Sequence, residues 1–530
     1  MSALPPRSRS IAAGVALLCA AANTFAQTKP PAAPVRNVTD TYFGTTVTDP
    51  YRYFEDMKDP EVLQWMKAQA DFARHTLDAI PQRNVLLQEV TTYGDAAASR
   101  VSSVQIVADM VYYLKRNAND NIPKLYSRQG LAGKERLLFD PAAMPAPEGM
   151  HFAIDYFAVS PDNSHLAYGI SVGGSEESVL HVIDLSTGRQ TGDVIDRANN
   201  GSPSWLPDSR LLYNRLQKLE PGSAVTDKYL NSRAYVHTLG TDPDHDAPIL
   251  GIGLAPGIAV LPVEVPAVAS PIGSNYLVGV IVNGVQNEIK VYVAPLRSLD
   301  AAKTPWVKVA DNADDVTGFD VAGDTLYVLS HKDASRFKVL RVAMAKPDIA
   351  RAEIVVPPSE AVVTGIAAAE DALYVKRMNG GVSDLLRAPY APGGEPAAVA
   401  LPYGGDIEEL ATDPRRPGAV FGFGGWTRFG GYYAYQPGSG KVVDTGLQPQ
   451  GKYDNPPDLV STEVKVEAKD GTLVPMSIVH RKGLSLDGSN PTLLYGYGAY
   501  GISMTPFYGP TYLPWFNRGG VFAVAHVRGG

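Results

Sequence analysis

Hydrophobic positions change their period along this chain. Between Asp59 and Pro81 they recur at three- and four-residue steps. Val62, Trp65, Met66, Phe72, Ala73 and Leu77, with Gln69 and Thr76 among them, fall on one side of a helix. Asp59-Pro60-Glu61 supplies a cap-type residue, a first-turn proline and an acid, and Pro81 ends the stretch. A second, short helix is expected over residues 85–90. From about Val101 the pattern becomes short alternating or aromatic runs between turns, which predicts strands. Past Asn455-Pro456-Pro457, residues 461–468 alternate like a half-buried strand. Asp470-Gly471 marks a hairpin, and residues 473–480 read as its return strand. Residues 492–495 lead into glycine-rich Gly496-Tyr497-Gly498, and residues 520–525 form a near-continuous apolar run of the kind covered on both faces of a parallel sheet.

The middle of the chain repeats. A polar turn followed by an apolar pair, often with tyrosine, begins at Ala108, Ser160, Leu206, Gly273, Gly323, Glu370 and Arg416. Asp162 and Asp208 are 46 positions apart, and Tyr327 and Tyr374 are 47 apart. Units of 40–50 residues that each supply about four strands describe propeller blades, and seven anchors imply seven blades. Longer steps after Tyr113 and Leu211 imply inserted loops. Unrelated hairpins in a β-sandwich are the competing reading. The expected fold is β-rich, α+β and multi-domain: a seven-bladed β-propeller plus the N-terminal part of an α/β-hydrolase domain. The divisions expected are 1–26, 27–95, 96–455 and 456–530.

The first 26 residues read as an address. Arg7 and Arg9 precede an apolar run from Ile11 to Ala22, and Thr24-Phe25-Ala26 offers a small residue for cleavage. Twelve apolar residues are too few to span a bilayer, which needs about 20. An exported protein, periplasmic or secreted, is expected, without a membrane span after the leader is removed. The only cysteine, Cys19, lies in that leader, so a disulfide framework is ruled out. The 47 basic and 55 acidic residues give a net charge of −8, which argues against a nucleic-acid partner. The 50 glycines and 42 prolines disfavour a helical bundle.

Several segments bring one family into view. Asp49-Pro50-Tyr51-Arg52-Tyr53-Phe54-Glu55-Asp56, Trp65 with Ala68-Gln69, Tyr235 to Thr241, Lys469-Asp470-Gly471-Thr472, Pro475 to Gly483, Tyr495 to Tyr500, Arg518 to Val521 and Arg528-Gly529-Gly530 follow in order. This series resembles the prolyl oligopeptidase family of serine peptidases from about residue 36 to the last residue, with Tyr53 and Phe54 as aromatic departures. The resemblance implies a propeller that caps an α/β-hydrolase domain, a helical arm (27–95) packed on that domain, and cleavage of short peptides after proline. It implies short proline-containing peptides as partners, a monomer if complete, and no cofactor. It assigns to Tyr497 the hydroxyl that helps hold the developing oxyanion, and to Tyr500 a wall of the proline pocket, with tyrosine standing where phenylalanine is usual.

The nucleophile is not found. Serine needs a histidine to take its proton and a carboxylate to hold the histidine tautomer, and no Gly-x-Ser-x-Gly elbow occurs in residues 456–530, the expected hydrolase part. Pro437-Gly438-Ser439-Gly440 reads as a turn, and His526 as a structural strand-end residue at a position where the family usually has asparagine. The Ser/Asp/His triad is therefore expected to be absent, the chain stopping at Gly530 before it, and the chain is expected to be inactive alone. The alternative is a propeller that binds peptides or proteins without catalysis. Asp242-Pro243-Asp244-His245-Asp246 departs from a calcium loop at Ala247 and Gly253 and reads as a solvated loop. Glu176-Glu177 and Glu408-Glu409 read as exposed charge.

Overall fold

The computed structural model describes residues 29–201 and 203–529; the leader and Cys19 lie outside them. The chain divides into two compact units, one up to Gln88 and one from Glu89 onward.

In the first unit, strands Val38–Tyr42 and Thr45–Asp49 form a hairpin, followed by a 3-10 turn over Arg52–Glu55 and helix α1, Pro60–Asp78. The Asp59 carboxylate accepts the Glu61 backbone N–H at 2.8 Å, which satisfies one of the free donors of the first turn. The prolines before the hairpin are tied to the helix. The Pro31 carbonyl accepts Trp65 Nε1 at 3.1 Å and the Gln69 amide, and the Pro34 carbonyl accepts the Tyr53 hydroxyl at 2.8 Å. Along α1 only Val62 is fully buried.

Helix α2 runs over Arg83–Asp95, longer than the expected 85–90. Thr91, Thr92 and Gly94 are poor helix formers, but the end of the helix is held by tertiary contacts. The Tyr93 ring meets Tyr453 edge-on at 4.6 Å and its hydroxyl accepts from Asn517 Nδ2 at 3.1 Å. Glu89 pairs with Arg518 at 2.7 Å.

The second unit contains seven four-stranded antiparallel sheets in succession, over residues 99–139, 152–195, 204–251, 264–310, 316–356, 362–399 and 406–444. Each sequence anchor runs into the second strand of a different sheet: Met110–Asn117, His165–Val172, Leu211–Arg215, Tyr276–Asn283, Thr325–Ser330, Leu373–Asn379 and Ala419–Gly424. Apolar faces of successive sheets pack together. Tyr112 and Leu114 lie against Leu166 and Tyr168, Val182 against Trp205 and Leu211, and Tyr374 and Leu385 against Phe421 and Phe423. The seventh sheet packs on the first through Val420, Tyr432 and Ala434 against Val101, Val111 and Tyr113.

No strand crosses that last seam, so side chains join it. Glu409 accepts the backbone N–H groups of Ser103 and Val104 at 2.8 and 3.1 Å and the Tyr432 hydroxyl at 2.9 Å. Gln448 accepts Val101 N–H, and Arg100 makes a bidentate pair with buried Asp454 at 2.8 and 2.9 Å. The reading of Glu409 as exposed charge is thus corrected: its carboxylate caps strand donors that the seam leaves without a ladder partner. In the acidic 242–246 segment Asp242, Asp244 and His245 are exposed as expected, and only Asp246 departs from that reading. Asp246 is buried between sheet strands, where it holds His237 Nδ1 at 2.9 Å and the Tyr213 hydroxyl at 2.8 Å.

An eighth sheet follows. Its strands are β1 (Leu459–Glu467), β2 (Leu473–Arg481), β3 (Thr492–Gly496) and β4 (Val521–Ala525), in spatial order β1-β2-β4-β3. β1–β2 and β2–β4 are antiparallel, whereas β3 and β4 run parallel with Thr492 opposite Val521 and Gly496 opposite Ala525. The interior strand β4 is buried from Val521 to Val524, and β3 is exposed throughout at the edge.

Candidate functional site

In sheets with parallel strands, ligands gather at the carboxyl ends, where the loops are free to carry chemistry. Here those ends are the loop after β3, residues 497–502, and the loop after β4, residues 526–529. Glycine lets the two loops touch. A Cβ on Gly498 would lie 2.7 Å from the Arg528 carbonyl oxygen, and one on Gly529 would lie 2.3 Å from the Gly498 carbonyl oxygen. Gly501 N–H donates to the Gly529 carbonyl at 3.0 Å, and Ile502 N–H to that of Ala499 at 3.0 Å. Arg528 also pairs with Asp470 of the β1–β2 hairpin; with Thr472, it holds that carboxyl down at about 2.

The two tyrosines singled out in the sequence both stand on the first of these loops. Tyr497 directly follows β3; its side chain is 39 % exposed and its hydroxyl has no hydrogen-bond partner among the described residues. Tyr500 is 64 % exposed and has φ of +57°, a left-handed conformation that costs a non-glycine residue about 1–3 kcal/mol. Its carbonyl accepts Asn287 Nδ2 at 3.3 Å from the hairpin between the second and third strands of the fourth sheet. The sequence carries no signal for that contact, because 213 residues separate its partners.

Two further hairpins of the ring reach the same pair of loops. Gly381, at the turn in the sixth sheet, has φ of +85° and lies under His526; a Cβ there would be 2.6 Å from the ring. Trp426, from the seventh sheet, lies 6.2 Å from the His526 ring and 5.7 Å from Phe507.

His526 does not behave as a general base for a nucleophile. Its Nε2 lies 2.8 Å from Ser477 Oγ, a distance that suits a serine–histidine pair. Ser477, however, is fully buried, and its one proton goes to Glu463 Oε2 at 2.8 Å. Nε2 must therefore donate to that oxygen. Burial lowers the His526 pKa, with Glu463 opposing the shift. The motif that found β2 did not reveal this network, because Glu463, Ser477 and His526 come together only once the strands pair.

Away from these loops, a cavity of about 430 Å³ is lined from all seven sheets, by residues that include Gln105, Val159, Trp205, Ser270, Asp320, Ile366 and Thr412. Burial pushes the Asp320 carboxyl up to about 6 despite bonds from the backbone N–H groups of Ala368 and Val321. Among the described residues, no group of acidic, histidine or cysteine side chains is arranged to hold a metal.

Residues 30–444 match the prolyl oligopeptidase N-terminal beta-propeller domain. The chain belongs to the prolyl oligopeptidase family. It is 27 % identical over 498 residues to the prolyl endopeptidase of Elizabethkingia meningoseptica, covering 93 % of this chain and 67 % of that protein. Dipeptidyl aminopeptidase BI of Pseudoxanthomonas mexicana is 27 % identical over 414 residues, covering 75 % of this chain and 52 % of its own length. A solved prolyl endopeptidase structure superposes with a TM-score of 0.82 at 30 % identity, covering 95 % of this chain and 72 % of that one. Prolyl oligopeptidase B of Galerina marginata superposes at 0.81 with 21 % identity and shares the fold. The chain thus spans about two thirds of the length of the prolyl oligopeptidase relatives it matches.

Proposed function

We propose that this chain is the N-terminal portion of a prolyl-oligopeptidase-like serine endopeptidase that cleaves short peptides after proline. In this reading the seven sheets are the seven blades of a propeller over residues 96–455, and residues 456–530 open an α/β-hydrolase domain. The observation that carries it is the order β1-β2-β4-β3, with the Tyr497 loop at the carboxyl end of the edge strand. That order leaves one side of β3 available for the strand that would bring the nucleophile. Tyr497 would then donate its hydroxyl to the oxyanion, a role typically worth about 2.7–4 kcal/mol of barrier. Tyr500 would flank the proline ring. Export by the leader, short proline-containing peptides as partners and a monomeric state complete the proposal.

The Gly-x-Ser-x-Gly pattern of this chain, Gly169 to Gly173, puts Ser171 inside a ring strand, buried and donating to Asp155 at 2.9 Å, so in this reading the 530-residue chain is inactive alone. The purified chain should not hydrolyse a chromogenic peptide with proline before the scissile bond. Turnover that a serine-directed inhibitor abolishes overturns this reading. The second reading, a propeller that binds peptides or proteins without catalysis, is favoured by the cavity of about 430 Å³ lined from all seven sheets. Peptide affinity that survives replacement of both Tyr497 and Tyr500 would favour it.

A further inference from the structure

The hairpin that touches the Tyr500 loop is braced from its own side of the molecule. Gln286 accepts Asn312 Nδ2 at 3.3 Å, and Glu288 Oε1 lies 2.8 Å from His331 Nε2, both partners coming from the fifth sheet or the turn before it. Ile289 N–H donates to the Val316 carbonyl at 2.8 Å. Asn287 therefore stands between two anchored residues. Its amide meets Tyr500 at the point where the backbone is left-handed, and Gly501 beside it is left-handed as well, at φ +69°. On the opposite side, Gly501 N–H is held by the Gly529 carbonyl. The loop is thus gripped from the ring by one side-chain donor and from the β4 loop by one backbone acceptor.

We propose that Asn287 is a positioning residue for Tyr500: the ring of sheets, through this amide, sets the place of a side chain that would wall the proline pocket. The proposal rests on the pocket role given to Tyr500 above. A tyrosine ring is placed by the backbone that carries it, and two successive left-handed residues can relax to other conformations unless something outside the loop holds them. Asn287 supplies that hold without touching the ligand itself. Specificity for proline would then depend on a residue 213 positions away, carried on a different sheet.

The test separates the two claims. Asn287→Asp keeps the side-chain shape and removes the donor; Asn287→Gln keeps the donor. In the full chain, amide exchange at Gly501 and Ile502 should quicken about tenfold in Asn287→Asp, because local opening no longer breaks a bond. In Asn287→Gln it should return towards the original rate, and exchange in the strands of the fourth sheet should not change. Binding is read with N-acetylated Ala-Gly-Pro amide against N-acetylated Ala-Gly-Ala amide. The preference for the proline peptide should fall towards unity in Asn287→Asp and recover in Asn287→Gln. Unchanged exchange in Asn287→Asp overturns the positioning claim. Faster exchange with an intact proline preference overturns its link to specificity. An unaltered chain that shows no proline preference counts against the pocket role of Tyr500, while the exchange experiment still decides Asn287.

Discussion

The ring of seven sheets and the eighth sheet solve the same problem differently. In the ring every sheet has a neighbour on both faces, and the largest fully buried side chains, including Tyr113, Tyr168, Tyr374, Phe421 and Phe423, lie there. The eighth sheet buries β4 but leaves β3 bare, with Leu493, Leu494 and Tyr495 exposed at 49 %, 64 % and 43 %. An exposed strand edge is usually defended by charge or proline inside the strand. Here residues 488–517 contain no charged side chain, and Pro491 stands just before β3 rather than within it. The ring is complete in itself, whereas the sheet that carries the candidate chemistry offers a surface suited to another strand.

The sharpest way to break the ring is at His237, which is fully buried between Asp193 at 3.0 Å and Asp246 at 2.9 Å and so joins the second sheet to the third. Burial lowers its pKa, but the bonds to Asp246 and Asp193 outweigh burial and raise it overall. His237→Ala leaves two buried carboxylates without their cation and should destabilise the second unit by about 3–5 kcal/mol in equilibrium denaturation. The sign with pH follows from the raised value. The stabilisation is fully present below the unfolded histidine pKa of about 6.5 and is lost as pH rises through the higher folded value. Asp193 titrates below its ordinary value, although burial opposes this, through bonds from Thr191, Gly240 and His237, so its share is lost as pH falls through that lowered value. A difference between original and variant that grows from pH 6 to pH 9 would contradict this account.

The seam between the seventh sheet and the first should be weaker. Arg100 holds Asp454 in two bonds and stacks on Phe429 at 3.7 Å. Asp454→Ala removes these charge-assisted bonds, and one from Gly451 N–H, at a cost of about 1.5–3 kcal/mol. Arg100 keeps its ring contact and some water, so the loss should stay below that for His237. A larger loss than in His237→Ala would mean that this seam, rather than the buried imidazole, sets the stability of the ring.

Much of this comparison is legible in the sequence, for local reasons. The anchors are readable because six of the seven second strands follow a tight turn with a left-handed residue, at Ala108, Asn163, Ser209, Gly273, Gly323 and Gly418, and residue types suited to turns recur with the sheets. The hairpin at Asp470-Gly471 and the apolar run of β4 are local in the same sense. What the sequence does not reveal is long-range. Asp193, His237 and Asp246 meet across two sheets, Glu409 caps strand donors 305 and 306 positions away, and Asn287 reaches Tyr500. Of the candidate site, the loop and its tyrosines are visible through motif and strand end. The ring residues that hold the loop are not, because nothing in a hairpin tip marks which partner it will meet.

The eighth sheet invites the opposite kind of variant. Leu494→Lys places a charge at the centre of the bare strand, on a side chain already exposed to water. Its effect on unfolding should be small, within about 0.5 kcal/mol, as for other surface changes. Its effect on association should be visible as reduced light scattering at high protein concentration, since a charge within an edge strand discourages pairing with another strand. Equal scattering from the original and the variant would show that the bare strand does not drive association.

The smallest effect on stability is expected at Tyr497. Tyr497→Phe removes a hydroxyl that has no hydrogen-bond partner among the described residues, from a side chain that is 39 % exposed, so unfolding should shift by less than about 0.5 kcal/mol. If that hydroxyl serves the oxyanion, the same change in a chain completed with a serine-bearing segment should lower kcat by about 100-fold or more, with little change in KM. The contrast between an unmoved stability and a large rate loss is what separates a catalytic hydroxyl from one that packs a loop. A rise in KM at constant kcat would place Tyr497 in substrate binding. A clear loss of stability would return it to the packing of the two glycine-rich loops.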